Sequence, residues 1–390
     1  MKVIYDKDHQ RLPIKSWCAD IEEGAMEQAL NLSNHPALFR HVALMPDCHR
    51  GYGMPIGGVI ACKGAVIPNA VGVDIGCGMI AVQSDFPAKH LTEEGIKEIM
   101  GKTRELIPIG FNHHEHSQAW SGFDHIPDIP IIRQMLNSAR KQLGTLGGGN
   151  HFIELQKGDD GMLWLMIHSG SRNFGYKIAK MYNDIAVKLC ERWKSDIPDP
   201  ELAFLPIETP EAKEYLEAMD YALLFAQQNR YLMMTKLKYV VDGSLVCNFT
   251  QEINIHHNYA AWENHFGQNV VVHRKGATLA RIGQKGIIPG SMGTPSYIVE
   301  GLGNPESFNS CSHGAGRVMG RMQASRTLTE VECDAAMAGV VFGRWGKTRK
   351  GGLDFGEAPQ AYKNIDAVIE AELDLIKPVV KLQPLGVIKG

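Results

Sequence analysis

The sequence lacks the features that place a protein in a membrane or in an oxidising compartment. Among its 390 residues no apolar run approaches the roughly 18 residues that a membrane span needs. The N-terminal stretch MKVIYDKDHQRLPIKSW has no apolar core of the signal-peptide type. The eight cysteines are scattered, without a CxxC pair or dense spacing, so we expect free thiols. These absences predict a cytoplasmic protein that does not associate with membranes.

A strong excess of one charge is also missing. The formal net charge is −3, with 21% charged and 44% hydrophobic residues, which is ordinary for a soluble enzyme. This balance argues against a protein that coats nucleic acid indiscriminately, although charge can still be concentrated locally. Two basic stretches, residues 273–285 and 343–352, are therefore candidates for lining a basic groove.

Internal repeats, low-complexity tracts and Ser/Pro linkers are absent as well, which favours one domain over residues 1–390. Short runs such as VVVHR and YIVEGL, bounded by glycine and proline, predict strands with tight turns. A helical pattern covers residues 209–240, with Thr209 as N-cap, and a second helical segment is expected in residues 361–382, ending near Pro378. Strands and helices do not alternate regularly, so we expect an α+β fold rather than a doubly wound sheet.

What the chain does have is glycine, and one glycine-rich stretch carries unusual polar residues. GVDIGCGM, residues 72–79, places Asp74 and Cys77 among glycines and apolar residues. A buried carboxylate is costly unless it is paired or bound to a metal. Four of the sixteen histidines follow or end apolar runs beside glycine or serine: His151, His168, His257 and His313. One such histidine alone is more commonly a core residue, but the combination predicts a shared metal or catalytic cluster.

The residue types suit a site for metal ions but leave the identity of the metal open. A thiolate can bridge two cations, and a carboxylate and imidazoles can complete their coordination. Cysteine and histidine favour zinc, whereas a carboxylate with open positions for phosphate oxygens favours manganese. Two neighbouring metal ions suit phosphoryl or nucleotidyl transfer, because attacking and leaving oxygens both carry charge.

Two further groups of polar residues do not follow apolar runs beside glycine in this way. Asp47 and His49 are two residues apart and would share one side of an extended strand. We expect Asp47 to orient a neighbouring group rather than to bind metal, and the residues leave His49 undecided. Residues 112–116, NHHEH, lie in a polar stretch that is more typical of a mobile surface loop than of a metal site.

Many of these residues belong to motifs that together resemble those of the RtcB-type RNA-splicing ligases. From about residue 40 to the end, in family order, the chain contains MPDCHRGYGMPIGG, GVDIGCGM, LGTLGGGNHFIEL, HSGSR, HHNY, RKGA, IIPGSMGTPSYIV, HGAGR, EAPQAYKNID and VIKG. The resemblance implies an RtcB-like fold of mixed, largely antiparallel sheets with flanking helices. It also implies an enzyme that uses GTP and Mn(II) to join RNA ends.

The resemblance assigns roles to individual residues. It implies that two manganese ions are bound by Asp74, Cys77, His151, His168 and His257, with Cys77 between them. His313 would be the nucleophile that becomes guanylylated, and Asp47 would orient it. Nucleotide contacts would come from Asn150, Glu154, Pro289, Gly290, Ser291, Met292, Ser296, Gly314, Ala315, Gly316, Tyr362 and Lys389.

The implied substrates are RNA ending in a 2′,3′-cyclic phosphate or 3′-phosphate, RNA with a 5′-hydroxyl, and GTP. An activating protein of the archease type is a further candidate partner. Cys48 and Asn173 depart from the family pattern, which expects valine and glycine there, and both tRNA splicing and repair of cleaved RNA stay open. The alternatives are a dinuclear metal phosphodiesterase that acts without guanylylation and a non-catalytic RNA-binding protein.

Overall fold

The computed structural model describes residues 1–348 and 350–390. In these residues the α-helices are α1 (Glu23–Asn34), α2 (Pro68–Val71), α3 (Glu93–Leu106), α4 (Pro130–Gln142), α5 (Arg172–Trp193), α6 (Pro210–Leu245), α7 (Arg321–Thr327), α8 (Glu330–Ala336) and α9 (Ile365–Ala371). The β-strands are β1 (Lys2–Ile4), β2 (Ile14–Ser16), β3 (Leu38–His49), β4 (Ile56–Cys62), β5 (Ala65–Val66), β6 (Gly78–Pro87), β7 (Phe152–Gly158), β8 (Met162–Ser169), β9 (Leu205–Pro206), β10 (Phe249–His256), β11 (Asn258–His265), β12 (Gln268–Lys275), β13 (Ala277–Leu279), β14 (Lys285–Ile288), β15 (Ser296–Gly301), β16 (Ser310–Ser312), β17 (Val341–Phe342), β18 (Gly346–Lys347), β19 (Leu353–Asp354) and β20 (Ile376–Lys389).

Most strands belong to two large sheets. The six-stranded sheet has the order β1-β2-β3-β4-β12-β11. The eight-stranded sheet has the order β10-β6-β8-β7-β20-β15-β14, with β17 pairing to β20. Pairs within these two sheets are antiparallel, apart from the parallel pairs β2–β3 and β17–β20. The predicted α+β class with largely antiparallel sheets is confirmed, while the extent of one domain over residues 1–390 stays a prediction.

The two sequence runs that predict strands do form strands. VVVHR lies within β12, in the six-stranded sheet, and YIVEG lies within β15, in the eight-stranded sheet. Both strands are largely buried, as expected for β-branched residues that pack on either side of a sheet. These local signals were sufficient because each run is apolar and ends at glycine or another turn residue.

Helix α6 begins where its sequence predicts. The Thr209 hydroxyl accepts a hydrogen bond from the Ala212 N–H at 3.2 Å, and Pro210 occupies the first turn. The helix continues to Leu245, five residues beyond the predicted pattern. Its buried face packs on α5 in a core rich in tyrosine, phenylalanine and alanine. One long helix thereby lies against the eight-stranded sheet.

The expected second helical segment is wrong over most of its length. Residues 361–382 contain the short helix α9, and the chain then enters β20, which includes Pro378. The proline is tolerated because the pairing of β20 with β15 shifts register next to it, between Ile298 and Val299. The apolar residues Leu385, Val387 and Ile388 predict a strand near the end of the sequence, and they do lie within β20. Among the helices of the described residues we find none that is long and apolar enough to cross a membrane.

Candidate active site

One edge of the eight-stranded sheet gathers the predicted metal ligands. Cys77 immediately precedes β6, and His151 immediately precedes β7. His168 lies at the end of β8, opposite Met79 of β6, and His257 immediately follows β10. In antiparallel neighbours the start of one strand lies beside the end of the next. The order β10-β6-β8-β7 therefore brings all four side chains to the same edge.

The side chains of this cluster are in contact or nearly so. Cys77 Sγ lies 3.2 Å from His168 Nε2 and 3.5 Å from His151 Nε2. The Nε2 atoms of His168 and His257 are 3.4 Å apart. Asp74 Oδ2 lies 3.3 Å from His151 Nε2, and its side chain is 33% exposed whereas the others are buried. The structure thus brings together the five predicted ligands, named here the metal-ligand cluster: Asp74, Cys77, His151, His168 and His257.

The orientation of two imidazoles suits a metal ion. His151 Nδ1 donates to the Leu146 carbonyl at 3.0 Å, and His168 Nδ1 donates to the Asn150 carbonyl at 3.1 Å. Each bond fixes the proton on Nδ1, so the lone pair of Nε2 is left facing the cluster. His257 Nδ1 is buried and lacks a hydrogen-bond partner among the described residues. Nitrogen lone pairs and a sulfur atom that converge in this way form a donor set that a metal cation can bind.

The pKa values of these side chains also suit metal binding. Burial lowers the pKa values of His168 and His257 well below the usual histidine value, which keeps both imidazoles neutral, as ligands must be. Burial, followed by the Asp74 carboxylate, raises the pKa of the Cys77 thiol well above its usual value. A bound cation would reverse the effect on Cys77, because coordination favours the thiolate. The donor set therefore fits a metal centre.

Helix α6 holds the loops that carry these ligands, a role that the sequence analysis missed. Arg230 is fully buried and donates to the carbonyls of Gly76 at 2.9 Å and Ser169 at 3.0 Å, next to Cys77 and His168. Asn229 accepts from the Gly144 N–H at 2.7 Å and donates to the Thr145 carbonyl at 3.2 Å, in the loop before His151. The available signal was a polar Asn-Arg pair on the apolar face of a helix.

A second feature lies beside the metal-ligand cluster. His313 immediately follows β16, and Asp47 lies in β3 of the six-stranded sheet. Asp47 Oδ2 accepts from the backbone N–H of His313 at 3.1 Å and lies 2.6 Å from His313 Nδ1. The rings of His313 and His257 are 4.8 Å apart between centroids. Because Nδ1 is bonded to Asp47, Nε2 is the nitrogen of His313 with a free lone pair.

His49 has a different environment from Asp47. Its Nδ1 contacts the Asp47 backbone carbonyl at 3.0 Å, and burial lowers its pKa. The compact group of ligand atoms found among the described residues consists of Cys77, His151 and His168, without His49. We therefore place His49 beside Asp47 and outside the cluster.

Buried charged residues hold the strand that precedes His313. Arg274 donates to Ser310 Oγ and to the Phe308 carbonyl, both at 2.9 Å, and is itself paired with Glu263. Glu372 accepts from the Ser312 N–H at 2.8 Å. Burial raises the pKa of Glu372 well above its usual range. None of these three residues was singled out from the sequence.

Two cations of the basic stretch 273–285 lie in the interior, whereas Arg281 of the same stretch is 58% exposed. In residues 273–285, Arg274 is paired with Glu263, and Lys275 is buried with hydrogen bonds to the carbonyls of Tyr52 and Asn69. Neither cation is therefore available to a ligand at the surface. In residues 343–352, Arg344, Lys347 and Lys350 are exposed and Arg349 lies outside the described residues, so a basic groove there stays a prediction.

Some of the predicted nucleotide contacts form a hydrogen-bonded chain. Gln156 Nε2 donates to Glu154 Oε2 at 2.7 Å and to Ser296 Oγ at 3.2 Å. Ser296 Oγ in turn accepts from the Gly290 N–H at 3.3 Å. Burial raises the pKa of Glu154 to about 8. Ser291 is bonded to Thr294, through its N–H at 2.6 Å and its hydroxyl at 2.8 Å.

The segment after His313 packs against two other predicted positions. A side chain built on Gly314 would lie 3.3 Å from the Pro289 carbonyl oxygen. Gly316 has φ +74° and lies against the Asp47 carbonyl, where a side chain would overlap it. Met292 and Ala315 are buried. The segments 289–292 and 314–316 therefore adjoin each other next to the Asp47–His313 pair.

Tyr362 and Lys389 meet at a carboxylate that the sequence analysis did not identify. Glu357 Oε2 lies 2.5 Å from the Tyr362 hydroxyl and 3.2 Å from Lys389 Nζ. Arg317 donates to the same hydroxyl at 3.0 Å, and Arg321 to Glu357 Oε1 at 2.7 Å. Burial works to raise the pKa of Glu357, but the Lys389 and Arg321 cations outweigh it and lower that pKa to about 2.

Strand β20 carries Lys389 to the same edge of the sheet as the metal-ligand cluster. In the pairing of β20 with β7, Lys389 lies opposite Phe152, the residue after His151. The Lys389 ammonium lies 5.6 Å from the centre of the Phe152 ring. The predicted strand near the end of the chain is confirmed, while recognition of a nucleotide by Lys389 stays a prediction.

Residues 112–116 lie apart from the cluster. They form no helix or strand, as expected for a polar loop. His114 lies 3.2 Å from the Gly144 carbonyl through Nε2 and is also bonded to Lys236. Neither contact involves a residue of the metal-ligand cluster.

Comparison with known proteins identifies the family. The family model described as tRNA-splicing ligase RtcB matches residues 28–129 and 128–390. The RNA-splicing ligase RtcB of Escherichia coli (strain K12) is 39% identical over 407 residues, covering 98% of each protein. The tRNA-splicing ligase RtcB of Pyrobaculum aerophilum is 30% identical over 98% of this chain and 96% of that protein. The RNA-splicing ligase RtcB of Mycobacterium tuberculosis is 31% identical over 93% of this chain and all of that protein.

The range matched by the family model includes every residue of the metal-ligand cluster and both members of the Asp47–His313 pair. The chain belongs to the RtcB family of RNA-splicing ligases.

Proposed function

We propose that the protein is a GTP- and Mn(II)-dependent RNA ligase. It joins an RNA end carrying a 2′,3′-cyclic phosphate or a 3′-phosphate to an RNA end carrying a 5′-hydroxyl. The observation that carries the proposal is the Asp47–His313 pair, with an oriented imidazole 4.8 Å from the His257 ring of the metal-ligand cluster. The names of the relatives, all RNA- or tRNA-splicing ligases, support the same class of reaction.

The residues that would hold two Mn(II) ions are Asp74, Cys77, His151, His168 and His257. Cys77 is central to this donor set, because its sulfur lies within 3.5 Å of the Nε2 atoms of both His151 and His168. When bound, the ions neutralise charge on phosphate oxygens and lower the pKa of bound water. The buried, neutral imidazoles and the thiol that a cation would deprotonate support this assignment.

His313 provides the nucleophile in the first step. Its Nε2 lone pair attacks the α-phosphorus of GTP, an N–P bond forms, and the bond to pyrophosphate breaks. The imidazole gains positive charge as the N–P bond forms, and the Asp47 carboxylate at Nδ1 stabilises that charge. The proton remains on Nδ1 throughout, so this step needs no separate base.

The remaining steps transfer the GMP to RNA and then release it. An oxygen of the RNA 3′-phosphate attacks the phosphorus of the His313-bound GMP, and the N–P bond breaks to restore His313. The product has a pyrophosphate link between RNA and GMP. The 5′-hydroxyl then attacks the RNA phosphorus and loses its proton to solvent, and GMP leaves with the electron pair of the bridging oxygen. An end that begins as a cyclic phosphate is first opened by water.

Guanine would be held by groups on β7, β15 and β20. Glu154 in its ionised form accepts hydrogen bonds from the guanine N–H edge, and Lys389 donates to the guanine carbonyl oxygen. The remaining proposed nucleotide contacts surround these two or lie next to His313: Asn150, Pro289, Gly290, Ser291, Met292, Ser296, Gly314, Ala315, Gly316 and Tyr362.

The test is incubation of the protein with α-labelled GTP and Mn(II). We expect label held by a bond that is labile in acid and stable in alkali, as in a histidine phosphoramidate. His313→Ala should bind Mn(II) but retain no label, while His116→Ala, in the exposed polar loop, should label as the unaltered protein does. His313→Ala should also seal RNA that already carries a 3′-linked GMP. Normal ligation of unactivated ends by His313→Ala would overturn the assignment.

The same experiment separates the proposal from a dinuclear phosphodiesterase. The metal-ligand cluster alone could serve such an enzyme, which would need neither GTP nor His313. Opening of cyclic phosphate ends without any sealing in the presence of GTP would favour that alternative. Addition of an activating protein of the archease type is expected to increase the number of turnovers in the sealing reaction, with RNA and GTP as substrates.

A further inference from the structure

Phe111 is an exposed aromatic residue with an unusual position. Its side chain is 99% exposed, which makes it the most exposed large hydrophobic residue in the described part of the chain, ahead of Val246 at 88%. Single exposed apolar residues are common on protein surfaces, so exposure alone indicates nothing. What distinguishes Phe111 is the way in which the chain on either side of it is fixed.

Both flanks of Phe111 are bonded to the segment that leads to His151. On one side, the Gly110 N–H donates to the Gly147 carbonyl at 2.9 Å, and the Leu146 N–H donates to the Pro108 carbonyl at 3.0 Å. On the other side, the His114 N–H donates to the Lys141 carbonyl at 3.1 Å. The ring is therefore presented by a fixed backbone, which reduces the conformational entropy that a ligand would have to remove.

The glycine loop beside Phe111, residues 147–149, immediately precedes Asn150 and His151. A methyl group built on Gly148 would lie 4.0 Å from Gly110 Cα and 4.0 Å from the carbonyl carbon of Gly390. On another side of this loop, Arg321 Nη2 would lie 3.6 Å from a methyl group built on Gly149. The Arg321 side chain is 53% exposed. Gly110, which precedes Phe111, and Arg321, whose Nε is paired with Glu357 and whose Nη2 is nearest to the loop, thus flank the exposed backbone of Gly148 and Gly149.

We propose that Phe111 stacks against an unpaired base of the RNA strand whose end lies in the active site, with Arg321 contacting a phosphate of that strand. Aromatic faces that stack bases, together with cations that follow the backbone, are the usual means of holding single-stranded nucleic acid. Gly148 and Gly149 are exposed and carry no side chains, so the strand would pass over their backbone. This inference rests on the proposed function, because it takes RNA as the substrate.

The first test measures binding without reaction. A short single-stranded RNA with a 3′-phosphate and a fluorescent label is titrated with the protein in the absence of GTP and Mn(II). Phe111→Ala and Phe111→Leu should each weaken binding roughly 5- to 100-fold, the range expected for loss of one stacked base, while Phe111→Trp should keep it. Val246→Ala is the matched control, since Val246 is also highly exposed, and it should bind as the unaltered protein does.

The outcomes separate this inference from the proposed function. Failure of the unaltered protein to bind any RNA would count against the ligase proposal itself. Normal RNA binding by Phe111→Ala would overturn the stacking role alone and would leave Phe111 as a contact for a protein partner. Self-guanylylation, which needs no RNA, reports whether each variant is folded.

A second measurement determines which strand is stacked. A fluorescent base, 2-aminopurine, is placed in the last nucleotide of the 3′-phosphate strand or in the first nucleotide of the 5′-hydroxyl strand. Quenching that the unaltered protein causes and Phe111→Ala does not would assign the stacked strand. Equal quenching by both proteins, with both strands, would contradict the inference.

Discussion

Asp47 and His313, which are 266 residues apart in the sequence, are joined by two hydrogen bonds to one carboxylate oxygen. Asp47 Oδ2 lies 3.1 Å from the His313 backbone nitrogen and 2.6 Å from His313 Nδ1. The bond to the backbone fixes the position of the residue, and the bond to the ring fixes its tautomer. The carboxylate therefore determines where the nucleophilic nitrogen lies and which nitrogen it is.

Asp47→Asn should slow self-guanylylation by about 10²- to 10⁴-fold, the range typical of a lost acid–base partner. The amide can still accept a hydrogen bond, but it lacks the negative charge that stabilises the imidazole as the N–P bond forms. Metal content should not change, because Asp47 does not contact the metal-ligand cluster. Asp128→Asn, at an exposed site, is the control. A normal labelling rate in Asp47→Asn would exclude the electrostatic role.

Cys77→Ala should lose nearly all bound metal and all guanylylation. Its sulfur lies close to the Nε2 atoms of both His151 and His168, and alanine offers no atom that could bind metal in its place. Cys62→Ala and Cys311→Ala, which also remove buried thiols, should keep both properties. Metal analysis of the three purified variants provides the comparison, and full occupancy in Cys77→Ala would disprove the proposed centre.

Lys389→Met should narrow the preference for GTP over ATP, as should deletion of Lys389 and Gly390. An ammonium donates hydrogen bonds and matches the guanine carbonyl, and loss of one partner costs on the order of 1–3 kcal/mol. Lys381→Met is the matched control, because Lys381 lies in the same strand and pairs with Asp366 at the surface. Guanylylation with GTP and with ATP is measured for each variant at equal metal content. Unchanged selectivity would show that β20 does not recognise the base.

The GTP preference should also increase with pH because of Glu154. Burial raises the pKa of this carboxyl to about 8, so it is mostly neutral at pH 7 without nucleotide. Guanine needs an acceptor at its N–H edge, and ionisation adds one. The ratio of GTP to ATP affinity should rise between pH 7 and pH 9 and then level off, and use of the ratio cancels the titration of the triphosphate. In Glu154→Gln the ratio should be low and independent of pH.

The raised pKa of Glu154 also makes the free energy of unfolding depend on pH. The folded protein binds this proton more tightly than the unfolded chain, whose carboxyl titrates near 4.5. The contribution of Glu154 to stability is therefore present at low pH and is lost as pH rises towards 8. Denaturant unfolding of the nucleotide-free protein should show a decline over this range that is smaller in Glu154→Gln.

Arg230→Met should destabilise the protein and reduce metal occupancy. The methionine fills similar space but leaves the carbonyls of Gly76 and Ser169 buried without their donor, at a cost of about 1–3 kcal/mol for each. Arg192→Met, at an exposed position of α5, should have little effect. Midpoints of denaturant unfolding compare the two. A midpoint for Arg230→Met equal to that of Arg192→Met would contradict a structural role for the buried guanidinium.

The positions of the metal-ligand cluster could be predicted because their signals are local. Cys77 and His151 lie directly before strands, and His168 and His257 lie at strand ends, so apolar runs bounded by glycine marked them in the sequence. In antiparallel neighbours the start of one strand lies beside the end of the next, so these residues lie at one edge of the sheet. Their role as ligands was inferred from chemistry and stays a prediction.

The supporting residues could not be predicted in the same way, because their partners are far away in the chain. Arg230 bonds to Gly76, 154 residues away, and Glu372 bonds to Ser312, 60 residues away. A buried charge in an apolar segment indicates that it has a partner, but the partner depends on the tertiary structure. The first part of β20 could not be predicted because a proline such as Pro378 is typical of the end of an element, whereas a local shift in register accommodates it here.

Strand β20 follows all the other described strands in the chain, yet it lies between β7 and β15 inside the eight-stranded sheet. During synthesis, the edges of β7 and β15 that face β20 have unpaired backbone groups until this last segment is inserted. A chain that stops before Ile376 would present two open strand edges at once, and such edges pair readily with other chains. Premature termination in this protein should therefore yield aggregates rather than a partly active fragment.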